Sequence, residues 1–290
     1  VTMAIKIVTD SSCDLGIDFV KKNNIEFVPL LLNLDGENIE DDLGKSLGYR
    51  EFYDKLREGS MPSTSQINIY TFEKKFRKLL NEGYEILYVG LSSALSGTFN
   101  SANMARNNIL EENPNAKISV VDSLSVSMGV GMLVKKSCDM IEEGKDLEYI
   151  TTWIEENKNK VIHSILVDDL KHLKRGGRIS ASTAAVGSLL NIKPILKIDN
   201  NGAVEATEKI KGKKKALKYL ATVVKEKAVN IESETLYIMH GDVLEEAQYL
   251  KEIILQELNF KDVKVEYIGT VIGTHGGPGT IATVFWGNER

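Results

Sequence analysis

The sequence predicts an α/β protein of two lobes with a ligand cleft between them. The N-terminal lobe is expected on a mainly parallel sheet and the C-terminal lobe on a mixed sheet. Three observations carry this reading. Short apolar runs rich in β-branched residues alternate with longer helical stretches through the first half, as in parallel α/β folds. A polar tract, EENKNK, ends near Lys160 and interrupts that alternation. Beyond it Asn201-Gly202 gives a strong hairpin signal, which adds antiparallel pairing. The lobes are therefore expected at 3–158 and 161–290.

The elements follow in order. AIKIVTD, IEFVPLLLNL, EILYVGL and AKISVVDS read as buried strands. NIYTFEKKFRKLLNEG has helical periodicity, with Tyr70, Phe72, Phe76, Leu79 and Leu80 on one face and Gly83 as its stop. SVSMGVGMLVKKSCDMIEEG and DLEYITTWIEENKNK follow as helices. In the second half VIHSILVDD is a strand, KPILKIDN and AVEATEKI flank the hairpin turn, and KKKALKYLATVVKEKA is a helix. TLYIMHGD, EEAQYLKEIILQEL and KVEYIGTV read as strand, helix and strand, and ATVFWG closes the sheet. No internal repeat or low-complexity tract interrupts the pattern. Two lobes leave a cleft, and clefts between lobes are common ligand sites.

Composition narrows the class. The 290 residues are 42% hydrophobic and 27% charged, enough apolar material for a substantial core. The net charge of -5 argues against nucleic acid, which needs a basic footprint. Cys13 and Cys138 lie far apart with no metal-like spacing and read as reduced buried thiols. MGVGMLV from Met128 is too short to span a bilayer. No secretory pattern opens the chain, where Val1 and Thr2 precede Met3, so the expectation is a cytoplasmic protein without a transmembrane segment.

Several stretches could carry chemistry. In EILYVGLSSALSGTFNSA, Ser96, Gly97 and Thr98 follow a strand and open a helix, whose N-terminus suits an anion. Ser96 can donate to such an anion or cap its own helix. In MPSTSQ, Thr64 and Ser65 can donate to an anion or cap the helix starting near Asn68. In KHLKRGGRISAST, Arg175 and Arg178 bracket two glycines that let the backbone aim a guanidinium at a carboxylate or phosphate, although a solvated basic loop reads as well. GTHGGPGT, residues Gly273 to Thr280, places His275 among four glycines ahead of an apolar strand. GLSSA nearly matches the nucleophile elbow, with Ala94 where glycine is usual. That leaves a serine hydrolase as the alternative, using Ser92 as nucleophile and His275 as base. A P-loop and a dinucleotide fingerprint are absent. VTDSSCD lacks a second aspartate two residues after Asp10, which argues against a phosphoaspartate hydrolase. His163, His172 and His240 show no metal-ligand spacing, and His163 inside an apolar strand reads as a satisfied core residue.

Taken together and in order, VTDSSCDL, PSTSQ, SSALSGTFNSA, LKRGGRIS and GTHGGPGT resemble the DegV family, also known as the fatty-acid-binding subunits of bacterial fatty acid kinase. The resemblance runs the length of the chain. It implies two α/β lobes with a fatty acid between them, its alkyl chain in a tunnel and its carboxylate at a polar cluster. A partner kinase phosphorylates that carboxylate, giving an acyl phosphate for phospholipid synthesis. The resemblance places Thr64 and Ser65 in the Thr-Ser-Gln motif, Ser96 and Gly97 in the Ser-Gly-Thr motif, Arg178 at the end of the Gly-Gly-Arg motif, and His275 as the C-terminal glycine-rich histidine. Ile67 stands where many members have proline. The glycines would let a turn bring His275 against the ligand's polar end, where the ring can donate to a carboxylate and change charge as a phosphate forms. Nothing resembles an ATP site, so no cofactor is expected. This protein would be a lipid carrier rather than an enzyme, with the kinase subunit supplying ATP chemistry and with transient membrane contact at most.

Overall fold

The computed structural model describes residues 3–180 and 191–290. Val1, Thr2 and the Ala181–Thr183 end of the arginine-glycine stretch lie outside them. The first sheet is fully parallel, in the order β2-β1-β6-β7. Its strands are β1 (Ile5–Asp10), β2 (Glu26–Val28), β6 (Glu85–Gly90) and β7 (Ile118–Asp122). Strand alternation sends Val8, Ile86 and Tyr88 to one face, where they meet Phe72, Phe76 and Leu79 of α3 (Ile69–Asn81) and Ala102, Ala105 and Ile109 of α4 (Thr98–Glu112). Ile7, Leu87 and Val89 point the other way. They meet Val130 and Leu133 of α5 (Met128–Glu142) and Ile150 and Ile154 of α6 (Leu147–Asn157). Tyr70 departs from the expected apolar face of α3: it lies in the first turn and is 72% exposed.

IEFVPLLLNL is two strands rather than one. Pro29 has no N–H to give a ladder, and the chain leaves the parallel sheet there. β3 (Leu31–Leu34) instead centres a small antiparallel sheet, flanked by β4 (Glu37–Glu40) and β5 (Ser63–Ser65). The sequence reading also passed over α1 (Ile17–Lys22) and α2 (Tyr49–Arg57), which buries Phe52, Tyr53 and Leu56 under that small sheet.

The second sheet is mixed, in the order β10-β9-β8-β13-β11-β12. β8 (Val161–Leu166), β9 (Ile192–Ile198) and β10 (Val204–Lys211) pair antiparallel, and Gly202 turns the expected hairpin. β11 (Thr235–His240) and β12 (Asp262–Tyr267) are parallel. β13 (Ile281–Trp286) does not close an edge. It is inserted between β8 and β11, antiparallel to both. One face carries Ile162, Leu166, Ile238 and Phe285 onto α8 (Lys213–Lys227) and α9 (Leu244–Leu255). The other face turns toward the first lobe, where Met239, Ala282 and Val284 share a core with α5.

KVEYIGTV is not a continuous strand. β12 stops at Tyr267, and Gly269 precedes α10 (Thr270–Gly276). This short helix packs against α2, β3, β5 and α7 (Lys171–Gly176), so a C-terminal element reaches into the first lobe. Among the described residues no helix is long and apolar enough to cross a membrane.

Candidate functional site

Between the two sheets lies a cavity of about 920 Å³, counting its open mouth. Its length is walled by side chains such as Leu30, Val126, Ile165, Leu196, Val271 and Val284. Its polar lining gathers Thr64, Ser65, Gln66, Ser96, Arg178 and His275. Five of the six residues singled out by sequence thus border one cavity. Gly97, the sixth, is not part of the wall. A Cβ there would lie 2.0 Å from Gln66 Oε1, so the glycine lets that side chain pass.

Each polar residue is held by its own element. Thr64 and Ser65 lie on β5 and do not cap α3. Asn68 does that, accepting from Thr71 N at 2.9 Å. Ser96 Oγ accepts from Thr98 N at 3.2 Å and shares a 2.9 Å hydrogen bond with Thr98 Oγ1. It therefore serves the start of α4 and borders the cavity at once. Arg178 follows Gly177 and donates through Nε to Leu95 O at 3.2 Å and through Nη1 to Gly176 O. Those two carbonyls aim the guanidinium toward the cavity. Arg175 instead meets His172 Nδ1 at 3.0 Å.

His275 sits in the last turn of α10, not in a glycine turn. The turn follows it, at Gly277 (φ +83) and Gly279 (φ +85), conformations that L side chains rarely adopt. His275 Nε2 lies 2.8 Å from Thr64 Oγ1, while Nδ1 is buried without a partner. Burial first, and then Arg178 and Arg175, push the ring down to about 4. The histidine is neutral at neutral pH when no anion faces it, and its charge change would need one.

Gly176 makes room for that ring. A Cβ at Gly176 would lie 2.3 Å from His275 Nδ1. Gly176→Ala is therefore expected to push His275 off Thr64 and to cost about 1 kcal/mol of stability, roughly one lost hydrogen bond. The His275 ring resonances in NMR spectra of the variant check the displacement, and unchanged shifts would show that the ring has not moved.

The N-terminal DSS motif plays a different part. Asp10 is fully buried at the end of β1, accepting from Ser12 N, Ser12 Oγ, Tyr88 Oη and Leu91 N. Leu30 N donates to Ser11 Oγ at 3.0 Å. These bonds lock the strand ends from which the cavity loops depart. Ser92 is buried too, and its hydroxyl donates to Gly202 O of the hairpin at 2.7 Å. Ser92 thus pins one lobe to the other, and its hydrogen bonds do not include His275. The nucleophile–base pair of the hydrolase alternative is not assembled.

The sequence predicts His163 as a satisfied core residue. Half of that holds. Nε2 meets Val126 O at 3.2 Å, but Nδ1 is buried without a partner, and the residue borders the cavity. Strand alternation could have shown this, because His163, Ile165 and Val167 share one face. Among the described residues no group of three or more His, Cys, Asp or Glu is placed to hold a metal.

The comparisons fit this architecture. The family model for uncharacterised proteins of the DegV family matches residues 4–288. The chain is 44% identical to a DegV domain-containing protein of Clostridium perfringens over 98% of both chains. It is similar to a solved structure described as fatty acid binding of a DegV family protein from Thermus thermophilus. The two are 32% identical with a TM-score of 0.88, covering 99% of this chain and 100% of that one. A fatty acid binding DegV family protein from Streptococcus agalactiae is 29% identical with a TM-score of 0.88 over 99% and 100% of the two chains. From the N-terminal Asp-Ser-Ser to the glycine turn after His275, the chain belongs to the DegV family.

Proposed function

We propose that the cavity holds a long-chain fatty acid and that its carboxylate is presented to an ATP-dependent partner kinase, which forms the acyl phosphate. In this reading residues 3–158 and 161–290 are the two lobes that close on the ligand, in the cytoplasm. The observation that carries it is the cavity itself, apolar along its walls with hydroxyls, a neutral histidine and one guanidinium in its polar lining. The solved relatives from Thermus thermophilus and Streptococcus agalactiae are described as fatty acid binding.

The physics of the two ends differs. Each methylene removed from water contributes about 0.8 kcal/mol. Burying a carboxylate is costly unless donors surround it. Thr64, Ser65, Ser96 and His275 would supply those donors, and Arg178 would supply charge. Burial, helped by Arg178 and Arg175, holds His275 neutral, and an arriving anion would oppose these effects and favour the protonated ring. A phosphate, with more charge than a carboxylate, would do so more strongly. Arg178 would also offer charge to a kinase surface that approaches the head group.

Native mass spectrometry and solvent extraction of the purified protein test this. The expected result is a long-chain acid at about one per chain. A protein that emerges empty and stays empty after incubation with fatty acids would overturn the reading.

A further inference from the structure

We infer that His163 makes the cavity selective for fatty acids that carry a hydroxyl group along the chain, away from the carboxyl end. This rests on the fatty-acid reading above and names the ligand class more closely.

The tautomer follows from the partner. A carbonyl oxygen only accepts, so the 3.2 Å approach of His163 Nε2 to Val126 O requires the proton on Nε2. Nδ1 is then a bare acceptor. It is buried and has no donor, and the residue as a whole is 2% exposed. Burial, helped by the charge of Arg290, pushes the ring down to about 3, so it does not resolve the deficit by taking a second proton.

The surroundings do not resolve it either. Arg290 is the charged neighbour, but its donors are committed to Val161 O, Leu124 O, Asp199 O, Lys158 O and Ser125 Oγ. The cavity neighbours Val126, Ile165 and Ile198 have no polar side-chain atoms. The packing is also close. A Cβ on Gly129 would lie 2.2 Å from Nε2, so the ring is fixed against α5. A buried acceptor on a rigid ring that borders the apolar cavity lacks only a donor, and an alkyl chain alone cannot supply one.

Position sets where on the ligand that donor belongs. Ile281, which directly follows Thr280 and the glycine turn, pairs with Leu166 at one end of β8. His163 lies toward the opposite end of β8, about 10 Å along the strand from Leu166. The matching hydroxyl is therefore at mid-chain or beyond, not next to the carboxyl. A ketone at the same place carries only acceptors and gains nothing.

The test compares binding of four probes by isothermal titration: stearic acid, stearic acid hydroxylated at mid-chain, its mid-chain oxo analogue, and stearic acid hydroxylated beside the carboxyl. The wild-type protein is expected to bind the mid-chain hydroxy acid at least as tightly as stearic acid and about tenfold more tightly than the oxo acid, a difference of ~1.4 kcal/mol. In His163→Leu the mid-chain hydroxy acid alone should weaken, by about tenfold, because its hydroxyl is buried unpaired. His163→Gln, which restores an acceptor, should recover part of the preference. Equal affinity of the wild-type protein for the hydroxy and oxo acids would overturn the inference even if His163→Leu did not fold. So would a His163→Leu protein with an unaltered ranking. Binding of none of the four would instead overturn the fatty-acid reading itself.

Discussion

Asp10→Ala is expected to lower the melting temperature by about 10 °C. The carboxylate accepts four hydrogen bonds, and alanine leaves Ser12 N, Tyr88 Oη and Leu91 N facing a cavity with no acceptor. Each orphaned buried donor costs about 1–3 kcal/mol, so a total near 3–5 kcal/mol is expected. For a chain of this size each kcal/mol moves the midpoint by roughly 2–4 °C. The damage should spread to the ligand, because Leu91 opens the loop that carries Leu95 and Ser96. Asp10→Asn should lie between the two proteins. It keeps one acceptor oxygen for one pair of donors and turns an NH2 toward the other. Thermal melts followed by circular dichroism, with urea titrations, measure the loss. A midpoint within 2 °C of wild type would mean the DSS motif is not the joint described above.

Stability is expected to fall as pH rises from about 7.5 to 8.5, by about 1 kcal/mol at most. Asp14 is the cause. Burial pushes its carboxyl up to about 8, against the opposing hydrogen bonds from Ser127 and Gly269 and with help from Asp41 and Asp10. The unfolded value is about 3.9. A folded value above the unfolded one means the native state binds more protons, so this contribution is complete below about pH 4 and is lost as pH climbs through about 8. Asp41, raised to about 6, acts in the same sense but is spent by about that pH. The histidines act oppositely. His163 and His275 are pushed down to about 3 and about 4, and His172 and His240 are lowered as well. Their contribution is complete above about pH 7.5 and is lost on acidification through the unfolded and then the folded values. Above about pH 7.5, where the unfolded histidines have lost their protons too, the aspartate slope stands alone. Asp14→Asn should flatten it. Urea melts at three pH values across that window decide the matter. An equal slope in Asp14→Asn would remove Asp14 as the origin.

Asp14 also shows why its role was hidden in the sequence. The DSSCD run that follows the strand is small and polar, with no apolar periodicity to announce its burial. Only the packed structure buries Asp10, Asp14 and Asp41 within reach of one another, close to α10.

The sequence determined the layer architecture, because the signals for it are local. Ile7 and Val8, or Leu87 and Tyr88, are neighbours that must face opposite ways in any strand, and each needs an apolar partner. The hairpin at Gly202 is likewise local, since a positive φ is written into the residue type. The residues lining the polar part of the cavity were legible as motifs whose order resembles one family, though not as a shape. Tertiary structure alone decided the rest. Pro29 diverts the chain into a sheet that no periodicity announces, and β13 enters the middle of its sheet by a pairing between distant strands. Thr64 and His275, 211 positions apart, become hydrogen-bond partners only when α10 crosses to the first lobe. His163 has one satisfied nitrogen and one bare one because β8 turns that ring toward the first lobe, where it meets Gly129 and Val126 O rather than a second donor. Whether a buried polar atom finds its partner depends on angles and distances summed over the whole fold, and no window of sequence contains them.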